Sequence, residues 1–207
     1  MNQDPSYRLT FGFPKDWVQL PVLNSNKVLE RDKALEAWAA DQAQVMLGRD
    51  SDKDRVRQRA AELTRLTVGS RGRHAMYGLA FYPADAVGLL AILDVKRVVP
   101  DRTHPELTFD VLQELYAKRS AATVGDVEIE QTDLPSGPAL RVRGKCIEQA
   151  DEQGQGLLME AVTCAIRPPA LADAVVAIMS WTALQLGDKL AEMADAIART
   201  IRVTPSK

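Results

Sequence analysis

DAVVAIMSWTALQLGDKLAEMADAIARTIR, residues 173–202, changes periodicity partway along its length. Residues 173–184 are almost wholly apolar, the pattern of a central strand covered on both faces. From Leu186 the spacing becomes helical and runs to about Arg202. Leu186, Leu190, Met193, Ile197 and Ile201 fall on one side, while Asp188, Lys189, Glu192, Asp195 and Arg199 can stay in water. A strand buried on both faces needs layers above and below it, so this segment calls for a sheet packed between other elements.

Working outward, three strands precede it, at about 126–133, 139–147 and 156–166. Two more are expected at about 75–82 and 87–98, joined by a turn at 83–86. Between these groups Thr103 and Glu106 have the spacing of a capping box, and Pro105 is tolerated in a first helical turn. They predict a helix holding Leu107, Val111, Leu112 and Leu115 and ending near Arg119. Near the N-terminus Tyr7 to Phe13 alternates as a half-buried strand, Pro14 ends it, and Trp17 to Val22 resumes as a second. Phe11 and Phe13 are expected in the core, with Trp17 anchoring the turn or the second strand.

Asn24-Ser25-Asn26 can cap a helix over 27–47, with Val28, Leu35, Trp38, Val45 and Met46 as its apolar positions and Gly48 as its C-cap. Ser51 and Asp54 open a second helix, Asp52 to about Leu66, with a stripe of Val56, Ala60, Leu63 and Leu66 or Thr67. The two form an αα-hairpin over 27–68. Residues 69–74, GSRGRH, read as a basic flexible loop. Consecutive strands between separated helices give a single α+β domain over 1–207, its sheet mostly antiparallel and flanked by helices, with the hairpin inserted.

In the hairpin around LPSG, Glu128 and Glu130 share one face and Arg141, Arg143 and Lys145 share one face of the next strand. Opposed rows of charge on the outside account for these residues without catalysis. A four-residue loop places Glu130 opposite Arg143 and Glu128 opposite Lys145. A tighter loop places Glu130 opposite Arg141 and Glu128 opposite Arg143. The first register is preferred because Pro138 is awkward inside a ladder. Glu160, inside LLMEAVTC, reads as an exposed strand face in preference to a buried acid with a partner.

The 207 residues carry a net charge of −2 and 46% hydrophobic residues, values of an ordinary globular chain with no global field for nucleic acid or anionic lipid. Residues 1–20 lack a signal-like apolar run, and the longest apolar run, 174–181, is too short to span a bilayer. A cytoplasmic location is expected, with Cys146 and Cys164 small, buried and reduced. His74 and His104 have no second ligand at metal spacing. No nucleophile or phosphate-loop motif is present in the sequence. No catalytic residue, cofactor or metal is expected.

The order of elements resembles the Mog1/PsbP-like family, including its DcrB-like branch. Phe13, Pro14 and Trp17, the hairpin LPSGPALRV at 134–142 and the passage from Val175 to Ile201 carry the resemblance. It implies an antiparallel sheet flanked by helices and a family that serves mostly as binding or assembly modules. The expected function is therefore a non-enzymatic protein-binding module, such as a chaperone or accessory protein of a secretion or toxin system. Its partner is a protein or a second copy of the chain, not membrane or nucleic acid. Candidate interaction residues are Trp38 and the basic group Arg65, Arg71 and Arg73. The alternative is a small-ligand protein or enzyme with a pocket between the sheet and the αα-hairpin, lined by Trp38 and Gln42.

Both cysteines should titrate as free thiols after denaturation without reductant. A native disulfide between Cys146 and Cys164 would contradict the reducing compartment.

Overall fold

The structure, a computed structural model, describes residues 7–21, 28–48, 51–83, 88–120, 122–149, 156–169 and 171–205. The cap expected at 24–26, the end of the strand expected at Val22 and most of the turn at 83–86 lie outside the described residues. The elements in chain order are β1 (Tyr7–Thr10), β2 (Trp17–Leu20), α1 (Val28–Leu47), α2 (Lys53–Gly72), β3 (Tyr77–Phe81) and β4 (Ala91–Val98). They continue as α3 (Phe109–Tyr116), β5 (Thr123–Leu134), β6 (Gly137–Gln149), β7 (Gly156–Ile166), β8 (Ala174–Trp181), α4 (Gly187–Thr200) and β9 (Arg202–Pro205).

Seven strands form one antiparallel sheet in the order β2–β3–β4–β8–β7–β6–β5. The chain builds β2–β3–β4, crosses under α3 to the far edge, and returns as a meander until β8 closes against β4. The apolar strand of residues 174–181 thus lies fourth of seven, as its composition requires. One face carries Leu79, Leu93, Val95, Val162, Ile166, Val175 and Met179, packed beneath Leu190, Ala191, Ala194 and Ile197 of α4. Alternate residues point the other way. Leu140, Val142, Ala165 and Val176 meet Leu107 and Leu112 beside α3, while Leu20 and Ala80 meet the α1–α2 hairpin.

Several expectations change. The N-terminal strand stops at Thr10 and pairs with β9, four residues too short to stand out in the sequence. Thr200 Oγ1 accepts from Gly12 N (2.9 Å) and donates to Gly12 O (3.1 Å), which ties the segment after β1 to the end of α4. Phe11 packs on Tyr77, with ring centroids 5.4 Å apart, but Phe13 is 40% exposed. Trp17 stacks on Phe81 at 5.0 Å, in the expected anchoring role. On α1, Val45 is 77% exposed, and the buried seam is Leu35, Ala39 and Ala43. This i, i+4 row of small residues lets α2 approach closely. Asp52, not Ser51, caps α2, accepting from Asp54 N and Arg55 N.

The Thr103–Glu106 capping box does not form. Asp101 accepts from Thr103 N (2.8 Å) and His104 N (2.7 Å), and these bonds, His104 first, hold its carboxyl below the usual range. The helix begins later, with Thr108 capping Val111 N.

The β5–β6 hairpin uses the tighter register, Glu128 opposite Arg143 and Glu130 opposite Arg141, with Pro135-Ser136 as the connection. Gly137 makes this possible at φ +136°, where a Cβ would lie 2.3 Å from Arg167 O. Pro138 loses little, since its carbonyl still accepts from Arg167 N at 2.9 Å.

The two arginines of the charged row on β6 do not face open water, because α4 covers them, whereas Lys145 is exposed. Arg141 Nε donates to Asp195 (2.8 Å), and only a 3.9 Å contact reaches Glu128. Arg143 bridges Glu160 (2.8 Å) and Asp188 (2.9 Å), and Trp181 Nε1 donates to the second Glu160 oxygen (3.2 Å). Glu160 is 3% exposed, so the buried-acid reading holds and the exposed-face reading fails. The same carboxylate lies against the start of α4, which must be glycine: a Cβ on Gly187 would sit 2.5 Å from Glu160 Oε2.

Cys146 is half-buried, Cys164 is buried, and both are free. Burial pushes the Cys164 thiol up to about 12, so it stays protonated at neutral pH.

Glu160→Ala strands Arg143 and Trp181 and should lower stability by about 3–5 kcal/mol. Glu130→Ala, on the exposed part of β5, should stay within about 0.5 kcal/mol. Denaturant melts of the two variants check the contrast. Equal effects would contradict the buried cluster.

Candidate binding site

The α1–α2 hairpin is seated on β2 and β3 by Ala39, Ala43 and Leu63, packed against Leu20 and Ala80. Trp38 is half-buried at the edge of that cluster. Further along α2 the seat turns polar. Asp94 on β4 is 5% exposed, and its carboxylate accepts from Ser70 Oγ and Arg73 Nε. Gly78, opposite Asp94 in the ladder, leaves the room: a Cβ there would lie 2.8 Å from Ser70 Oγ. Residues 69–72 are therefore helix rather than flexible loop, because a buried carboxylate draws the end of α2 onto the sheet.

The opposite end of α2 leans over the start of β2 and the end of β3, and two clefts open there. One, about 460 Å³, is lined by Leu47, Arg55, Gln58, Arg59, Glu62 and Arg65 among others. The second, about 520 Å³, also includes Leu47, Arg55 and Arg59 and adds Lys15, Gln42, Met46 and Tyr82. Arg55, Gln58, Arg59, Glu62 and Arg65 follow the 3–4 spacing of one helix face.

Arg59 binds Glu62 at 2.8 Å and lies 4.4 Å over the Tyr82 ring. The Tyr82 hydroxyl is buried, and burial followed by the Glu62 carboxylate raises its pKa. Lys15, Arg55 and Arg65 carry no ion pair among the described residues. Residues 53–73 hold seven lysines and arginines against Asp54 and Glu62, in a chain of net charge −2. The clefts are thus lined mainly by basic side chains, with Asp16 and Glu62 as their acids.

A third cleft, about 290 Å³, lies among Pro100, Pro105, Pro138, Pro168 and Pro169. Its cation Arg167 already meets Glu106 at 3.4 Å.

The sequence-derived candidates separate. Arg65 lines a cleft, Arg73 is bound to Asp94, Arg71 is half-buried with a sealed Nη2, and Trp38 supports the hairpin. Gln42 lines the pocket expected between sheet and hairpin, and Trp38 is not among its lining residues. Arg55, Arg59 and Tyr82 were not singled out, although the spacing of Arg55, Arg59 and Glu62 marks one helix face. Among the described residues no group of His, Cys, Asp and Glu is placed to hold a metal, and no helix is long and apolar enough to cross a membrane.

No protein-family model matches the chain. No curated protein matches it in sequence. The crystal structure of LpqN of Mycobacterium tuberculosis, described as involved in cell envelope biogenesis, is similar over 99% of this chain and 88% of its own. Its TM-score is 0.50 and its sequence identity 15%, a likeness of fold.

Arg73→Ala leaves the buried Asp94 carboxylate with Ser70 alone. Because the Arg73 side chain is half in water, the expected loss is modest, about 1–3 kcal/mol. A thermal melt unchanged from the parent would contradict the polar seat.

Proposed function

We propose that this protein is a non-catalytic binding module that engages a protein partner where the α1–α2 hairpin meets the β2–β3 end of the sheet. The observation that carries this reading is the pair of adjoining clefts there, in which Lys15, Arg55 and Arg65 have no ion-pair partner among the described residues. Large, mostly basic side chains around an open cleft suit recognition better than bond-breaking chemistry. The thiols support the same view, since burial raises both Cys146 and Cys164, the opposite of an activated nucleophile.

The Mog1/PsbP-like resemblance suggests an accessory role, as a chaperone or assembly factor of a secretion or toxin system in the cytoplasm. If the likeness to LpqN extends beyond the fold, the process served is cell envelope biogenesis. A small anionic ligand is the second reading, favoured by the convergence of Gln42, Arg55, Arg59 and Tyr82 on one cleft.

A photo-crosslinking residue in place of Gln58 tests the reading in the producing cells. The expected result is a defined protein adduct that disappears in an Arg55→Glu/Arg65→Glu double variant with an unchanged melting temperature. An adduct pattern identical in parent and variant would overturn it.

A further inference from the structure

We infer that the paired clefts receive an extended acidic segment of another polypeptide, with carboxylates on Arg55 and Arg65 and main-chain groups on Gln42 and Gln58. The inference rests on the binding-module reading and names the chemistry of its partner.

Four observations lead to it. First, the clefts adjoin and share Leu47, Arg55 and Arg59, so together they make an elongated path rather than a closed chamber. Second, the cations along that path differ in their state. Arg59 is neutralised by Glu62 at 2.8 Å, which leaves Arg65 in the first cleft, Arg55 where the two clefts join and Lys15 in the second without ion pairs among the described residues. Guanidinium groups recognise carboxylates in a planar, two-bond geometry, so two free arginines set two points of contact.

Third, the spacing fits an extended chain. Arg55 and Arg65 are ten residues apart on α2, about 15 Å along the helix axis. Residues i and i+4 of a strand lie on the same side about 13 Å apart. Acids four positions apart on an extended segment therefore match the two arginines. Fourth, the glutamines offer both donor and acceptor, as a peptide backbone requires, and Met46, Leu47 and Tyr82 give the floor apolar area for the intervening side chains.

The charge of the chain is divided between the two edges of its sheet. The basic helix lies by β2, at one edge of the sheet. The opposite edge strand, β5, carries Asp126, Glu128, Glu130 and Asp133, and the whole chain is net negative. The acidic edge lies several Debye lengths from the clefts and leaves their attraction for a short acidic segment unopposed.

Fluorescence anisotropy with three labelled decapeptides tests this on the full chain. One carries glutamates at i and i+4, the second carries them adjacent, and the third has glutamine in both places. The i, i+4 peptide should bind most tightly, lose affinity with rising salt, and bind roughly tenfold or more weakly to Arg55→Glu/Arg65→Glu. Arg57→Glu is the charge control, because Arg57 is exposed, pairs with Asp54 at 2.8 Å and does not line either cleft. It should bind the peptide as the parent does.

Equal affinity for all three peptides would overturn the inference, as would equal loss in Arg57→Glu. Tighter binding of a single-stranded oligonucleotide or of phosphatidylglycerol vesicles would do so too, and so would a dimer on size exclusion that the double variant abolishes. If no peptide binds while the crosslinked partner still depends on Arg55 and Arg65, the acidic-segment inference fails and the binding-module reading stands.

Discussion

A carboxylate in the middle of a sheet has to be met by donors, and Asp94 is met only because α2 comes to it. Ser70 and Arg73 supply the hydrogen bonds, and Gly78 removes the side chain that would hold the helix away. An unpaired carboxylate at this depth would cost several kcal/mol, so the contact fixes where α2 ends and how it crosses the sheet. With that end pinned and the alanine seam of α1 packed behind it, the other end of α2 overhangs the start of β2. The clefts follow from this geometry, as does the alignment of Arg55, Arg59 and Arg65 along them.

The other face of the sheet shows the same logic with a different outcome. Arg143 and Glu160 also form a buried pair, with Trp181 and Asp188 completing it, and Gly187 again provides clearance for the approaching helix. There Arg141 and Arg143 are both paired with acids of the fold, and α4 covers them. On the hairpin side the polar contact is made at one end of α2 only. At the other end Asp54 pairs with Arg57 and Glu62 with Arg59, and Arg55 and Arg65 have no ion pair among the described residues. That difference distinguishes a structural charge cluster from a surface suited to a partner.

The fold was largely legible from periodicity. The strand at 156–166, the central position of β8 and the amphipathic face of α4 all follow from side-chain spacing, because burial on both faces or on one leaves a strong pattern. What failed did so where tertiary contacts outweighed local signals. Gly69, Ser70 and Gly72 are poor helix formers, yet Asp94 extends α2 through them. Thr103 and Glu106 match a capping box, but Asp101 captures the backbone amides first. Pro138 argued for a wide loop, whereas Gly137 tolerates a tight one. At the site, Arg65 was singled out only as a neighbour of the supposed loop at 69–74, and Arg55 and Arg59 were passed over on the same helix. The lone acid inside AILDVKRV was the available clue to the seat of α2, since an aspartate among apolar strand residues must have partners nearby.

The dependence of the cleft on that seat is most directly tested by hydrogen exchange on Gly78→Ala. The added Cβ lies 2.8 Å from Ser70 Oγ and 3.2 Å from Leu20 Cδ1, so α2 has to shift. The account predicts that amides of α2 lose protection, from Leu63 to Gly72 most of all, while β6, β7 and β8 keep theirs. Protection of α2 unchanged from the parent would contradict it.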